Sequence, residues 1–345
     1  MRRGDSVRAY RAFAETIAAP HTATINALGA AEPDDERFLG MVGMHGTKAA
    51  NRAVQSADLI IALGMRFDDR VTGRPDRFAA GASVIHADID ASEFGKIIPA
   101  AVTLHGDLGV TLDALTAELQ RGGAPRFEAW SAEARTLGGP LPSDRVDGLA
   151  ATDVLDRFFA LAPRDAIVTT DVGQHQMWAA QRARPLHPLA FATSAGLGAM
   201  GFGFPAAIGA RFANPDRPVF AVVGDGGFQM AFAELATLKR YRVDVRVLLI
   251  DNRNLGMVRQ WQELFYDERY SATNLSDNPD FAALTRVFGI SAATVESAAG
   301  LEAAMETFLG KPGPALLHCA CYPAENVWPM IPAGMTPDEL MEARA

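Results

Sequence analysis

Asp225 sits between glycines where the apolar run PVFAVV stops, and Asn252 follows Asp251 at the end of the next such run, VRVLLI. The two residues stand 27 positions apart, with the helix-like stretch FQMAFAELATLKR between them. A Gly-Asp-Gly-Gly turn that leaves a strand and opens a helix exposes backbone N–H groups near the positive end of the helix dipole, where a diphosphate fits. A carboxylate alone would repel that diphosphate, so Asp225 makes chemical sense only with a divalent cation between them. Asn252 can add a neutral carbonyl oxygen and Asn254 a backbone carbonyl, completing the protein share of an octahedral Mg²⁺ site. The competing account is a capping aspartate and an ordinary asparagine turn. Gly-Asp-Gly by itself does not separate the two; the asparagine at this spacing favours a metal–diphosphate site.

Such residues need strand ends to stand on. ADLIIALG, SVIHADID, AIVTTD, PVFAVVGD, VRVLLIDN and PALLHCAC are short buried-strand runs, and helical stretches such as TKAANRAVQSA lie between them. This alternation predicts an α/β protein of two doubly wound, mostly parallel-sheet domains. RGGAPRF and LGGPLPSDR mark a break, so we expect a domain over residues 1–120, a linker over 121–150 and a second domain with a C-terminal tail over 151–345. Ligands of open parallel sheets bind at the carboxyl ends of the strands. Asp171, Asp225 and Asn252 all fall there.

The 345 residues, 49% hydrophobic and 21% charged, have a soluble globular profile, and a net charge of −9 argues against nucleic acid or an anionic membrane as the main partner. Cys319 and Cys321 alternate onto one strand face with His318 on the other; without further ligands nearby they read as buried, reduced residues. The N-terminus has basic residues but no apolar core of a signal peptide, and reads as an amphipathic helix. Pro185–Ala210 lacks Asp, Glu, Lys and Arg, yet its prolines and glycines oppose a membrane-spanning helix and suit a loop wrapped around a ligand.

Longer motifs narrow the chemistry. DNRNLGMVRQWQELFYDERYS, TTDVGQHQMWAAQ, MVGMHGTKAANRAVQSADLIIALGMRFDDRVTG and AENVWPMIPAG resemble, in order, the large catalytic subunit of acetolactate synthase, closest to its bacterial form. The resemblance covers nearly the whole chain. It implies thiamine diphosphate, Mg²⁺ and FAD as cofactors, and a cytoplasmic enzyme of branched-chain amino acid synthesis. That enzyme decarboxylates pyruvate and joins the two-carbon unit to pyruvate or 2-oxobutanoate. Asp225, Asn252 and the carbonyl of Asn254 match the Mg²⁺ ligands, Gln174 and His175 the diphosphate contacts, and Gly224, Gly226 and Gly227 the surrounding turn. Gly198 and Met200 match the aminopyrimidine grip, where glycine lets backbone approach closely. Met257 and Trp261, four apart on one helical face, match substrate-channel residues. Trp261 resembles the residue that favours 2-oxobutanoate in that family, where an apolar wall can reward one extra methylene by roughly 1–3 kcal/mol. The polar neighbours Arg259, Gln260 and Gln262 suggest that this helix is not deeply buried. Met44, His45, Gly64, Arg66, Asp68, Arg70, Asp88, Ile89, Gly106 and Asp107 match FAD-contacting positions. Asp69 and Arg70 also match residues near the substrate entrance.

In the resembled family a glutamate on an N-terminal pyrimidine-binding domain activates the cofactor. No stretch like its motif occurs in this sequence, nor does the glycine-rich strand that precedes the first helix of the central domain. The chain is therefore expected to be the central and C-terminal part of such a subunit, with no catalytic glutamate of its own and inactive alone. Expected partners are a second copy or a complementing chain with the pyrimidine domain, and a small regulatory subunit. A different thiamine-dependent carboligase or decarboxylase, or a non-catalytic cofactor-binding module, are the alternatives.

Overall fold

A run of Val, Ile and Leu without polar interruption has no face to offer water, so it must be covered on both sides. The computed structural model, which describes residues 5–144 and 146–343, meets that demand in two separate units. The first holds the described residues up to Pro142 with Leu186–Pro188 and Trp328–Ala343; the second holds Ser143–Pro185 and Leu189–Val327.

In the first unit, β1 (His21–Ala23) and β2 (Phe38–Met41) form a parallel pair, and β3 (Leu59–Leu63), β4 (Ser83–Asp88) and β5 (Val102–His105) form a three-stranded parallel sheet in that order. The helix Ser6–Ile17 buries Tyr10, Phe13 and Ile17 at helical spacing against Leu108 and Leu112 of the helix Leu108–Gly122, as its amphipathic pattern requires. The strands form two separate sheets, and Ala19–Thr24, around β1, and Ala57–Met65, around β3, both line a cavity of about 660 Å³. Consecutive residues line it on both sides, so strand edges face the cavity and not one another.

The units do not follow the boundaries drawn from composition. The stretch 121–150 includes a helix, Glu128–Thr136, and the C-terminal residues Trp328–Ala343 belong to the first unit and not the second. Ile331 N donates to Met44 O at 2.8 Å and Arg74 N donates to Met335 O at 3.1 Å, so main-chain bonds hold that segment in place.

The second unit adds β6 (Ile167–Thr170), β7 (Phe191–Thr193), β8 (Val219–Gly224), β9 (Val245–Asp251), β10 (Ser291–Val295) and β11 (Ala315–Ala320). They make a six-stranded, wholly parallel sheet in the order β10-β11-β9-β8-β6-β7. The chain runs from β6 outward to β7, then returns to the other side of β6 for β8. That reversal is the topological switch point of a doubly wound sheet, where ligands bind. Strand alternation builds both layers. Val219, Ala221, Val223, Val245, Val247 and Leu249 pack on one face with Phe204, Phe228, Leu235 and Phe281. Phe220 points to the other face, against Phe158 and Phe308. FQMAFAELATLKR is helical, as expected, but a tighter turn at Phe232–Glu234 divides it.

Among the described residues no helix is long and apolar enough to cross a membrane. Pro185–Ala210 contains β7 and most of the helix Gly203–Ala213, with a loop between. Cys319 and Cys321 are free and buried, and burial pushes both thiols far up from their ordinary value. Among the described residues no group of His, Cys, Asp and Glu has the arrangement to hold a metal on its own, so any cation site must draw on amide and backbone oxygens.

Phe220 is 1% exposed, with ring centroids 5.2 Å from Phe158 and 6.2 Å from Phe308. Truncating such a residue leaves a cavity, so Phe220→Ala should destabilise the second unit by ~3–5 kcal/mol. A lowered urea midpoint at unchanged m-value would verify it.

Candidate functional site

The carboxyl ends of β6, β8 and β9 meet at the switch point, and each ends in polar residues. After β6 the chain passes Asp171 and Gly173 and opens the helix Gln174–Arg182, whose first two residues are Gln174 and His175. After β8, Asp225 opens the short helix Asp225–Ala231. After β9 come Asn252 and Asn254. The strands pair in register, Gly224 opposite Ile250, so the two ends lie side by side.

Side chains then join the three ends. Asn252 Nδ2 donates to Gln174 Oε1 at 2.9 Å, which turns the amide oxygen of Asn252 away from Gln174. Among the described residues that oxygen receives only the long bond from Asn254 N, 3.3 Å, and keeps acceptor capacity for a cation. His175 lies against the β8 turn so closely that a Cβ on Gly224 would stand 2.8 Å from its Nδ1. Gly256 is equally constrained, since a Cβ there would run into Gln174 Oε1 and come within 2.6 Å of Asn252 Nδ2. The loop carrying Gly198, at φ +65, and Met200 flanks the same turn, for Met200 Cε lies 3.1 Å from where a Gly226 Cβ would stand. A side chain on Gly227 would strike the Asp171 carboxylate, which accepts the backbone N–H of Gly203.

The charges are unbalanced in a telling way. Asp225 is 3% and Asp251 5% exposed, and Asn278 Nδ2 donates to Asp225 Oδ2 at 2.9 Å and to Asp251 Oδ1 at 3.1 Å. Burial first, then the adjacent Asp251 carboxylate, raises the Asp225 carboxyl far above its ordinary range. Burial would raise Asp251 as well, but its hydrogen bond with His318 Nε2, 2.8 Å, leads the effects that hold it below the usual value. Two buried carboxylates cannot both ionise without a counter-charge. A divalent cation facing Asp225 would supply it, and Asp225 with the amide oxygen of Asn252 would offer it oxygen ligands, the kind that suits Mg²⁺. His175 Nε2 is buried with no partner among the described residues, and burial lowers the imidazole to about 3. A neutral ring with an open nitrogen is suited to a hydrogen bond with a bound group.

Met257 and Trp261 lie half-buried on the helix Gly256–Phe265, with Trp261 edge-on to Phe265 at 5.3 Å. As expected, most of this helix is not deeply buried, yet the residues that are buried are polar ones. Arg259 and Gln260 are its buried residues, at 6% and 0% exposure. Gln260 Oε1 accepts from Gln174 Nε2 at 2.9 Å and from Val327 N at 2.8 Å; Arg259 pairs with Glu263 at 2.6 Å and donates to Ala324 O at 3.1 Å. Glu263 stands one helical turn away, but the other partners lie far along the sequence, so local polarity does not foretell which residues are buried.

In the first unit, Gly64, Asp88 and Gly106 mark the carboxyl ends of β3, β4 and β5. Gly64 N donates to Ala87 O at 2.8 Å and Gly106 N to Asp88 O at 3.0 Å, which binds the three ends together. Asp88 is buried and Ile89 is 68% exposed. Asp107 caps the helix Leu108–Gly122 through Gly109 N and Val110 N, and Asp68 caps the turn Asp69–Thr72 through Arg70 N. Arg66, Asp69 and Arg70 are exposed, with Arg66 paired to Asp68 at 3.1 Å. Met44 N donates to Arg70 O at 2.8 Å, and His45 is buried, lowered to about 4 chiefly by that burial. Of these positions only Gly64 lines the large cavity.

Sequence reasoning missed Gln260, Asn278 and Gly256. Gln260 and Gly256 stand inside GMVRQWQ, where their spacing from Asn252 was a usable signal; Asn278, in LSDNPDF, carries none beyond a turn composition.

Two family models and several relatives match the chain. The family described as the thiamine pyrophosphate enzyme C-terminal TPP binding domain matches residues 171–319, and the thiamine pyrophosphate enzyme central domain matches residues 1–115. The acetolactate synthase isozyme 2 large subunit of Escherichia coli (strain K12) is 47% identical over 337 residues, 98% of this chain and 61% of that protein. The acetolactate synthase large subunit of Parasynechococcus marenigrum is 46% identical, covering 94% of this chain and 53% of its own length. The chloroplastic acetolactate synthase of Arabidopsis thaliana is 41% identical, covering 94% and 50%. The chain thus spans roughly half to three-fifths of these relatives.

The His175 burial has a pH consequence. Its folded value, about 3, lies below the ordinary imidazole value of about 6.5, so the unfolded chain binds the proton more tightly. The stability from this residue is full above pH 6.5 and is lost as pH falls toward 3, at up to ~1.4 kcal/mol per pH unit. His175→Gln should flatten that acid slope in urea titrations run between pH 7 and 4.5.

Proposed function

The chain belongs to the thiamine pyrophosphate enzyme family, and we propose that it forms the central and C-terminal parts of an acetolactate synthase large subunit. The observation that carries this reading is the convergence of Asp225, Asn252 with Gln174, and His175 at the carboxyl ends of β8, β9 and β6. Asp225, the Asn252 side chain and the Asn254 carbonyl would hold Mg²⁺. Gln174 and His175 would hold the diphosphate beside Gly224, Gly226 and Gly227, with Gly198 and Met200 against the pyrimidine. Thiamine diphosphate, when bound, supplies the carbon nucleophile and the electron sink for loss of CO₂ from a 2-oxo acid.

This chain's residues bind and orient. The Gln174–Asn252 bond fixes which end of the amide faces the cation. Met257 and Trp261 would wall the approach of pyruvate or 2-oxobutanoate. In the first unit, Met44, His45, Gly64, Arg66, Asp68, Arg70, Asp88, Ile89, Gly106 and Asp107 would contact FAD, with Asp69 and Arg70 serving substrate entry. The activating carboxylate belongs, by the family resemblance, to a pyrimidine-binding domain. Turnover is therefore proposed for an assembly containing one, in the same chain or a partner, as a homodimer and with a small regulatory subunit. A cytoplasmic site of action accords with two free, buried cysteines.

Binding of thiamine diphosphate in the presence of Mg²⁺, followed by calorimetry, should fall at least ~10-fold in Asp225→Asn, since a charge-assisted contact is worth ~1.5–3 kcal/mol and about 1.4 kcal/mol is tenfold in affinity. Equal binding by wild type and variant would sink the cation assignment. In the complete enzyme, Trp261→Leu should lower the preference for 2-oxobutanoate over pyruvate by ~10–200-fold, the worth of one methylene in an apolar pocket, measured by competition for product.

A further inference from the structure

Asn278 lies 53 positions after Asp225, on a loop outside every motif the function has used, yet its side-chain amide is fully committed at the cation site. Its Nδ2 donates to Asp225 Oδ2 at 2.9 Å and to Asp251 Oδ1 at 3.1 Å, while its Oδ1 accepts from Gln229 Nε2 at 2.7 Å. The Gln229 bond fixes the amide so that both hydrogens point at the carboxylates. The loop is itself pinned to the end of β9, because Leu275 N donates to Arg253 O at 2.9 Å and Asn278 N to Leu275 O at 3.0 Å.

Asp251 is held just as firmly from the far side. Its Oδ2 bonds His318 Nε2 at 2.8 Å, and Oδ1 also accepts the backbone N–H of Arg253 at 2.9 Å. His318 comes from β11, with Phe281 set edge-on to its ring at 5.5 Å and Thr294 Oγ1 3.4 Å from Nδ1. The line His318–Asp251–Asn278–Asp225 therefore crosses from β11 through β9 to β8. It ends on Asp225 Oδ2, and the same carboxyl also has the Asp251 side chain and the Gly226 backbone N–H beside it.

We propose that Asn278, backed by Asp251 and His318, is a positioning residue of the cation site: it holds one oxygen of Asp225 so that the other is presented to a divalent cation. This rests on the metal–diphosphate reading and deepens it. Asn278 need not touch the cation or any substrate. An apolar residue of similar size would leave Asp225 free to turn about its side-chain bonds, and outer partners of metal ligands typically carry ~10–100-fold in metal affinity.

The test uses Mn²⁺ as probe, its binding read by electron paramagnetic resonance on the full chain, with the urea midpoint in EDTA measured on the same proteins. Asn278→Leu should weaken Mn²⁺ binding ~10–100-fold, and Asn278→Gln, which keeps the amide, should recover part of the loss. His318→Leu should weaken binding in the same direction by loosening Asp251. Wild-type affinity in Asn278→Leu would overturn the inference while leaving the cation site standing. A loss that tracks the EDTA midpoint, with none recovered by Asn278→Gln, would reduce Asn278 to a structural role and overturn it too. No Mn²⁺ binding by the wild type would overturn the metal–diphosphate reading itself, and the inference with it.

Discussion

The side-by-side burial of Asp225 and Asp251 is the constraint on which the polar architecture of the second unit depends. A carboxylate removed from water is costly, and a second one beside it raises that cost further. The protein answers with directed donors: the Asn278 amide between the two carboxylates, His318 behind Asp251, and the backbone N–H of Arg253. These donors satisfy Asp251 well and Asp225 only in part. The carboxyl pair therefore falls short of positive charge. It does so at the place where the strand order reverses, so the sheet topology sets where the deficit falls.

Rigid apolar layers make the deficit usable. The strands that end at the site, β6, β8 and β9, are buried along their length, with close-packed side chains on both faces. Strand ends anchored in this way do not drift, so hydrogen bonds at their tips hold their geometry. Glycine completes the arrangement where backbone must approach a side chain. Gly256 lies so near Gln174 and Asn252 that any Cβ would push the helix away from the strand ends.

What the sequence disclosed and withheld follows from the same physics. Asp225 and Asn252 were legible because polar residues at the ends of uninterrupted apolar runs have no structural motive in those runs. The α/β class and the parallel sheets were legible because β8, β9 and β11 are short, predominantly apolar runs that alternate with helical stretches. By contrast, β1 and β7 have three residues each and β5 is largely exposed, so neither length nor pattern marked them. The placement of Trp328–Ala343 with the first unit was hidden, since main-chain bonds such as Ile331 to Met44 carry no sequence pattern. Arg259 and Gln260 misled for the opposite reason. Their polarity is local information, while the partners that pay for their burial, Gln174 and Val327 among them, come from elsewhere in the chain.

That buried polar face carries a consequence for how the site works. Gln174 donates to Gln260 and accepts from Asn252, so one side chain joins a strand-end asparagine to the helix bearing Met257 and Trp261. An apolar interface would let this helix slide by a fraction of a turn at little cost, because dispersion contacts are not directional. Amide pairs are directional, and breaking one in a buried setting leaves two unsatisfied groups. The helix is thereby fixed in rotation relative to the carboxyl ends of β6 and β9, with Met257 and Trp261 held on its half-buried side. Precision in the wall that would face a substrate thus derives from the same hydrogen bonds that orient Asn252. A substitution at Gln260 should therefore disturb both together, even though Gln260 is fully buried and need meet neither cation nor substrate.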